Sequence, residues 1–432
     1  MQLWQLGIGF MSLCWLIRWF NTDYTLLQFI NNYQLGYIIL GANLLFCWIG
    51  LQIYLPISIH VSDMIWQHSL TLLHSSFIQS AISLTPEQGI RLGLHDLSLL
   101  WLFLLSFYYG LNRYLTKKLF LIIKIVILIY SVYGLFIQLG NYHTILWFTK
   151  WAYPNDLTST FVNRNHFATY IGFGLIITIG LWLQTALKIE YRQNKQFNQI
   201  GLIIQQNSLF LASISLLFTA LFLTHSRAGI FCSVIGILSL ILFFNLKMRW
   251  KFTQLIYLKF ALFLIIFWIS YFSYQGLLFR LQQQSLIDYS RLQVYQIIIK
   301  SILIQPFTGF GYGSFATVFP LWKNILISGD FSKPSLWNYA HNSYLEMIFE
   351  LGLPISIMII YLMLKINRIC YASIQSRKRD WIYPMMTVSI SILIALHALV
   401  DFSIQIPAIT YYYTIILGLG YAQSFSSRYV HH

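Results

Sequence analysis

Ala340 to Pro354, "AHNSYLEMIFELGLP", is the stretch whose reading decides the fold. From Ser343 onward its apolar spacing is that of a membrane helix. Yet it opens on His341 and Asn342 and carries Glu346 and Glu350 one helical turn apart. Intramembrane carboxylates are costly, so they face a bundle interior or a cavity and default to a functional role. The competing reading is a buried pair of packing polars. Which applies depends on what surrounds the stretch.

The surroundings are membrane throughout. Of 432 residues, 58% are hydrophobic and 9% charged, against about a quarter charged in soluble domains. Apolar runs recur at 3–20, 36–55, 92–114, 118–140, 166–187, 207–224, 229–246, 253–274, 342–364, 382–400 and 405–425. Each is near the roughly 20 residues that a spanning helix needs. The period-2 alternation of a barrel wall is absent. The fold class is therefore all-α, a polytopic membrane bundle of about 11–12 transmembrane helices.

One membrane domain is expected over 1–432, with 275–341 as a large loop within it. In that loop "YSRLQVYQIIIKSILIQP" sets Leu292, Tyr295, Ile299, Ile302 and Leu303 on one helical face, which reads as an amphipathic interfacial helix. Pro306 and a glycine run then end it. Trp151, Tyr153, Trp322, Trp337 and Tyr339 fall near span ends and read as an aromatic belt.

The net charge of +15 sits in short loops, at Arg113/Lys117/Lys118, Lys188/Arg192/Lys195, Lys247/Arg249/Lys251 and Lys365/Arg368/Arg377/Lys378/Arg379. A serpentine chain holds all four on one side, and the positive-inside rule makes that side the cytoplasm. The other side then holds 56–91, 141–165, 224–229, 275–341 and 401–404. No soluble run combines basic residues with stacking aromatics, so nucleic acid is not an expected partner. Cys14, Cys47, Cys232 and Cys370 lie in spans or near the cytoplasmic face without a CxxC, which indicates neither a disulfide nor a zinc site. The first apolar run lacks a basic n-region and is not a cleavable signal.

The strong polar groups away from the basic loops fall on the exterior side. "STFVNRNHFATY" brings Asn163, Arg164, Asn165 and His166; "LTHSRAG" brings His225, Ser226 and Arg227; the large loop brings Arg280, Arg291 and "PFTGFGYGSF"; "HALVDFSIQIPA" brings His397 and Asp401. Each has a structural reading: Asn163 and Asn342 taken alone suit N-caps, and a lone histidine at a span end is usually just hydrogen-bonded. The run "GFGYG" lacks a P-loop Lys-Ser/Thr, so a tight turn is favoured over an anion-binding nest. The conjunction carries more. Arg227, Arg280 and Arg291 suit a dianionic phosphate group. The exterior segments show no paired-Asp motif for Mg²⁺, so arginines would replace a metal, and no metal or cofactor is expected. His341 is the best-placed base.

At these residues the chain resembles the O-antigen ligase and O-antigen polymerase superfamily, through "FVNRNHFATYI", "THSRAGI", "RLQVYQ…PFTGFGYGSF", "AHNSYLEMIFELGLP" and "HALVDFSIQIPA", in that order over roughly 56–425. The resemblance implies a GT-C-like bundle in the bacterial inner membrane. Its members act on the periplasmic face and without metal, moving a glycan from undecaprenyl pyrophosphate to lipid A core, to another repeat unit or to a protein side chain. It further implies that Arg227 binds pyrophosphate, Arg291 matches the loop arginine with Arg280 a second candidate, and His341 activates the acceptor hydroxyl. Asn163, Arg164, Asn165, His166, His225, Ser226, Asn342 and Asp401 would line the substrate site, with Glu346 and Glu350 supporting it, and Arg227, Arg291 and His341 would share one cavity. Ligase and polymerase share these motifs, and both stay open. Protein O-oligosaccharyltransferases often carry a further C-terminal extension, and the chain ending soon after its last span lowers protein as acceptor. Two other classes make different demands of the sequence. A lipid-glycan flippase predicts midplane polar groups and inverted repeats, and a structural assembly subunit requires no converging arginines.

Overall fold

The computed structural model describes residues 26–55, 66, 68–69, 71–72, 81–192, 200–248, 289–322 and 337–425. The apolar runs 3–20 and 253–274, Cys14 and Arg280 lie outside them. The helices are α1 (Leu26–Asn32), α2 (Gly36–Tyr54), α3 (Pro86–Gly110), α4 (Arg113–Leu139), α5 (Arg164–Arg192), α6 (Ile200–Leu223), α7 (Arg227–Met248) and α8 (Tyr289–Ile304). They continue with α9 (Phe315–Val318), α10 (Ser343–Leu351), α11 (Leu353–Ser376), α12 (Ile382–His397) and α13 (Pro407–Ala422). A two-residue antiparallel ribbon, β1 (Thr144–Ile145) with β2 (Phe148–Thr149), follows α4. Among the described residues six helices are long and apolar enough to span a bilayer: α2, α3, α4, α5 over Arg164–Thr185, α7 and α11. Ser208–Leu223 and α12 are shorter apolar helices. The chain is a polytopic all-α membrane protein.

Packing divides the chain into two interleaved units. One takes Met1–Leu105, Asp288–Ile366 and Ala398–Phe402, and the second takes Ser106–Ile287, Asn367–His397 and Ser403–His432.

The second unit is organised around α5, whose apolar window is 94% buried against 39% for α4 and for α7. Small residues let its neighbours close in: a Cβ on Gly172 would lie 2.4 Å from Ser233 Oγ of α7 and 2.7 Å from Leu393 Cδ1 of α12. Close approach through small residues is the usual route to helix association in lipid, where apolar burial gives little drive. The basic clusters at Arg113, Lys247 and Arg377 meet at one end of this unit. Arg113 Nε lies 2.8 Å from Asp380 Oδ1, and Lys247 Nζ donates to the carbonyls of Gln375 and Arg377 at 2.8 Å each. The opposite end joins the last residues of α4 and α6 to the first of α5 and α7.

The first unit builds its core from α8, α9 and α10, with Val294, Ile298, Phe310, Phe315, Phe319 and Phe349 packed together. Here the single apolar face expected on α8 divides. Val294 and Ile298 are buried and Ile302 is 8% exposed, whereas Leu292, Ile299 and Leu303 are 44%, 47% and 73% exposed. The helix is apolar on two sides, and packing takes one of them. The aromatic-belt reading also divides. Trp151 is 80% exposed, but Trp322 packs on Phe310 with ring centroids 4.9 Å apart and Tyr339 stacks on Phe402 at 4.2 Å.

A second correction concerns the deciding stretch. The run 342–364 is not one helix: it breaks at Gly352, which adopts φ +77°. A Cβ there would fall 2.2 Å from the carbonyl oxygen of Phe307, so only glycine allows both the left-handed turn and the contact. Pro354 sits in the first turn of α11, where its missing N–H costs nothing. Glu346 and Glu350 therefore belong to the short helix α10, and the span proper is Leu353–Ser376.

Candidate functional site

The glycine run explains Glu350. Gly309, Gly311 and Gly313 all take positive φ, at +62°, +104° and +78°, and coil the loop against the end of α10. Its amides are all engaged. Gly309 N–H donates to Gln305 O, Phe310 to Phe349 O, Gly311 to Glu350 O and Ser314 to Gly311 O. Tyr312 N–H donates to Gln52 Oε1 at 3.2 Å, and Phe315 N–H to Glu350 Oε1 at 2.9 Å, with Gly313 N–H also on Glu350. The loop is thus a nest, and the group it holds is the protein's own Glu350 carboxyl, which burial pushes up to about 7. No amide from 309 to 315 is left to take a phosphate, which removes the minority reading of the motif. Gln52 of α2, fully buried, clamps the same loop by donating to the Thr308 and Glu350 carbonyls at 2.7 and 2.9 Å.

Glu346 does the same one turn earlier: its Oε2 accepts from Ala340 N–H at 2.6 Å, fixing the residue before His341. Asn342 is the cap of α10, its Oδ1 accepting from the Tyr344 and Leu345 amides at 3.1 Å each. His341, one residue outside the cap, adopts φ +53°. Its carbonyl accepts from Tyr295 Oη of α8 at 2.8 Å, and its ring meets Trp337 and Phe402 edge-on with centroids 5.5 and 4.9 Å apart. The segment 398–402 is bound to the same helix start. Ser343 N–H donates to Ala398 O at 2.8 Å and Ser343 Oγ to Asp401 O at 3.1 Å. Arg291 Nη1 donates to Val400 O at 2.9 Å. Asp401, fully buried, accepts the Phe402 N–H on Oδ1 at 2.7 Å. The first unit therefore assembles Arg291, His341, Asn342 and Asp401 around the start of α10.

The second unit assembles the other half of the candidate residues around a carboxylate that no motif announced. Asp156 sits in the loop before α5, 5% exposed. Its Oδ2 is 2.5 Å from Arg164 Nη1 and its Oδ1 is 2.8 Å from His225 Nδ1. Burial alone would push this carboxyl up, but the His225 hydrogen bond and the Arg164 guanidinium outweigh it and hold it below the usual carboxylate range. Arg164 also lies over the Tyr153 ring, 5.1 Å from its centroid. Lys150 Nζ donates to Asp156 O at 2.6 Å and to Gln138 Oε1 at 3.3 Å. Asn163 Oδ1 accepts from Asn165 N–H at 2.8 Å, which is the capping role. Asn165 Oδ1 accepts from Ser226 Oγ at 2.7 Å and so joins the starts of α5 and α7, while Ser226 Oγ in turn accepts from Gly229 N–H at 3.1 Å. His166, at 5%, and His397, at 0%, are buried. His397 Nδ1 meets Thr169 Oγ1 at 3.0 Å.

Arg227 differs from these cations. It is the first residue of α7, it is exposed, and no described side chain or carbonyl engages its guanidinium. Cations at a helix N-terminus oppose the macrodipole. Arg164, the first residue of α5, is compensated by Asp156. Nothing described compensates Arg227.

Long apolar helices with polar groups collected at helix starts define a multi-pass membrane protein. Residues 212–360 match the family model described as O-antigen ligase, which supports membership of the O-antigen ligase and polymerase superfamily. The matched span takes in Ser226, Arg227, Arg291, the glycine run, His341, Asn342 and both glutamates, and leaves Asn163–His166 and Asp401 outside. No curated protein matches the chain.

Asp156, Lys150, Gln52 and Phe402 escaped the sequence reading. For Asp156 a signal existed: it is one of 12 acidic residues, and it lies between Lys150 and Arg164 in the sequence.

Proposed function

We propose that this protein is a periplasmic-face, inverting, metal-independent glycan transferase. Its donor is an undecaprenyl-pyrophosphate-linked glycan and its acceptor a hydroxyl of lipid A core, in the manner of O-antigen ligase. The observation that carries the reading is Arg227, an exposed and uncompensated guanidinium at the N-terminus of a long helix, where dipole, amides and side chain all favour an anion. The family match over 212–360 supports glycan transfer as the chemistry. Sidedness is supported by the separation of the Arg113/Lys247/Arg377 end of the second unit from its Arg164/His225/Arg227 end.

In this reading the acceptor oxygen attacks the anomeric carbon from the face opposite the pyrophosphate. The bond from that carbon to the phosphate oxygen breaks, and its electron pair leaves with undecaprenyl pyrophosphate. Arg227 stabilises the charge that develops, and Arg291 and Arg280 are assigned the same role. Arg291 has one Nη committed to Val400, so it also holds the Asp401 segment to α8. His341 takes the acceptor proton. Asn163, Asn165, Ser226, Asn342, Glu346 and Glu350 shape the backbone that presents these groups. Transfer by the purified chain from an undecaprenyl-pyrophosphate glycan to lipid A core tests the reading. Elongation of the lipid-linked glycan in place of transfer to the core would make the protein a polymerase.

A further inference from the structure

Asp156 holds Arg164 and His225, and His225 lies in the turn that precedes Arg227. That turn is unusual. His225 adopts φ +50°, a left-handed conformation that a residue with a Cβ keeps only when its surroundings over-determine it. Two sets of contacts do so. The backbone is closed by Thr224 N–H on Leu221 O, His225 N–H on Phe222 O and Ser226 N–H on Thr224 Oγ1. The ring is held from outside by Asp156 Oδ1 at 2.8 Å, a bond in which the carboxylate accepts and Nδ1–H donates. The carboxylate is itself fixed, by Arg164 on Oδ2 and by the Leu157 N–H to Leu223 O bond on its main chain.

We propose that Asp156 is a positioning residue for pyrophosphate binding: through His225 it sets the left-handed turn that aims Arg227. The inference rests on Arg227 as a pyrophosphate contact. It has a sign that plain electrostatics does not share. Removing a carboxylate that contacts Arg164 and His225, with Lys150 on its carbonyl, leaves the region before Arg227 more positive, and by charge alone an anion binds more tightly. If Asp156 positions the turn, its removal weakens anion binding although the charge has become more favourable.

The test uses the full chain in lipid nanodiscs, with inorganic pyrophosphate as the probe, titrated calorimetrically and paired with a thermal midpoint for each variant. Asp156→Asn keeps the shape and removes the charge. The expected result is several-fold weaker pyrophosphate binding, titrated well below the midpoint of every variant so that the lower midpoint expected from losing the Asp156 ion pair does not enter the affinity. Pyrophosphate bound as tightly as by wild type or tighter, while Arg227→Ala binds it poorly, overturns the positioning role and leaves the Arg227 reading standing. Undiminished binding by Arg227→Ala removes both. Should Asp156→Asn not fold, His225→Asn carries the test, because asparagine tolerates the left-handed turn but loses the imidazole that Asp156 grips. The same loss is expected, and wild-type affinity in that variant overturns the proposal.

Discussion

His225 and His341 occupy the same local position. Each is left-handed, at φ +50° and +53°, and each lies one residue before the side chain that caps a helix, Ser226 for α7 and Asn342 for α10. A histidine at that position is not the cap. Its backbone is bent out of the helical path, and its ring meets groups outside the helix it precedes, Asp156 for His225 and Trp337 and Phe402 for His341. Non-glycine residues rarely take this conformation, although histidine, asparagine and aspartate do so more readily than most. Two such turns, each beside a candidate catalytic group, are features that helix capping alone does not require.

Arg227→Lys is expected to lower turnover by about 10²–10³, the typical worth of one oxyanion-stabilising contact, with normal expression. Lysine keeps the charge and loses the planar fork that reaches two phosphate oxygens. The check is a steady-state rate on purified protein. A rate near wild type would mean that Arg227 acts as diffuse charge.

Glu350→Gln is expected to destabilise the first unit by about 1–3 kcal/mol, the range for leaving a buried donor or acceptor unsatisfied. The amide presents one acceptor oxygen where the carboxylate presents two, against the Phe315 and Gly313 amides. Gly309→Ala should be as severe, since its Cβ would lie 2.4 Å from Glu350 O at a φ of +62°. Denaturation midpoints read both, and an unchanged midpoint for either contradicts the nest.

The Asp156 carboxyl is held low in the folded chain. A depressed carboxylate stabilises fully above its unfolded pKa, about 3.9, and that contribution is lost as pH falls through the lower folded value. The thermal midpoint should therefore drop on the acid side of about pH 4, and Asp156→Asn should lessen the drop. An identical acid limb in the variant would contradict the account of the Arg164–Asp156–His225 cluster.

Transfer activity is expected to survive EDTA, because neutralisation of pyrophosphate is assigned to guanidinium groups. Activity lost to chelator and restored by Mg²⁺ would overturn that assignment.

The helical membrane class was legible because hydropathy and the absence of period-2 patterning are summed over many residues. Where two local signals competed, single-sequence reading failed. The apolar run 342–364 hides a break because Gly352 is as compatible with a membrane helix as with a left-handed stop, and only the Phe307 carbonyl against it decides. On α8, apolar residues on two sides left no periodicity to tell Val294 from Leu292. The glycine run was read as a turn, but its ligand, Glu350, lies 35 residues from Phe315 and no spacing rule connects them. Asn163 and Asn342 were legible as caps. Asp156 was not, since its meaning comes from Arg164 and from His225, 69 residues away.

The central claim is that arginine serves the donor and histidine the acceptor. The most direct measurement is made on one protein, His341→Asn, whose new residue tolerates the left-handed turn and leaves Asn342 as the cap. Binding of the undecaprenyl-pyrophosphate glycan and its transfer to lipid A core are measured together, across pH. The account predicts wild-type donor affinity with transfer reduced by about 10²–10⁴, the usual contribution of a general base. It also predicts loss of the pH–rate limb that wild type shows where histidines titrate. Full transfer by His341→Asn, with the limb intact, would contradict it.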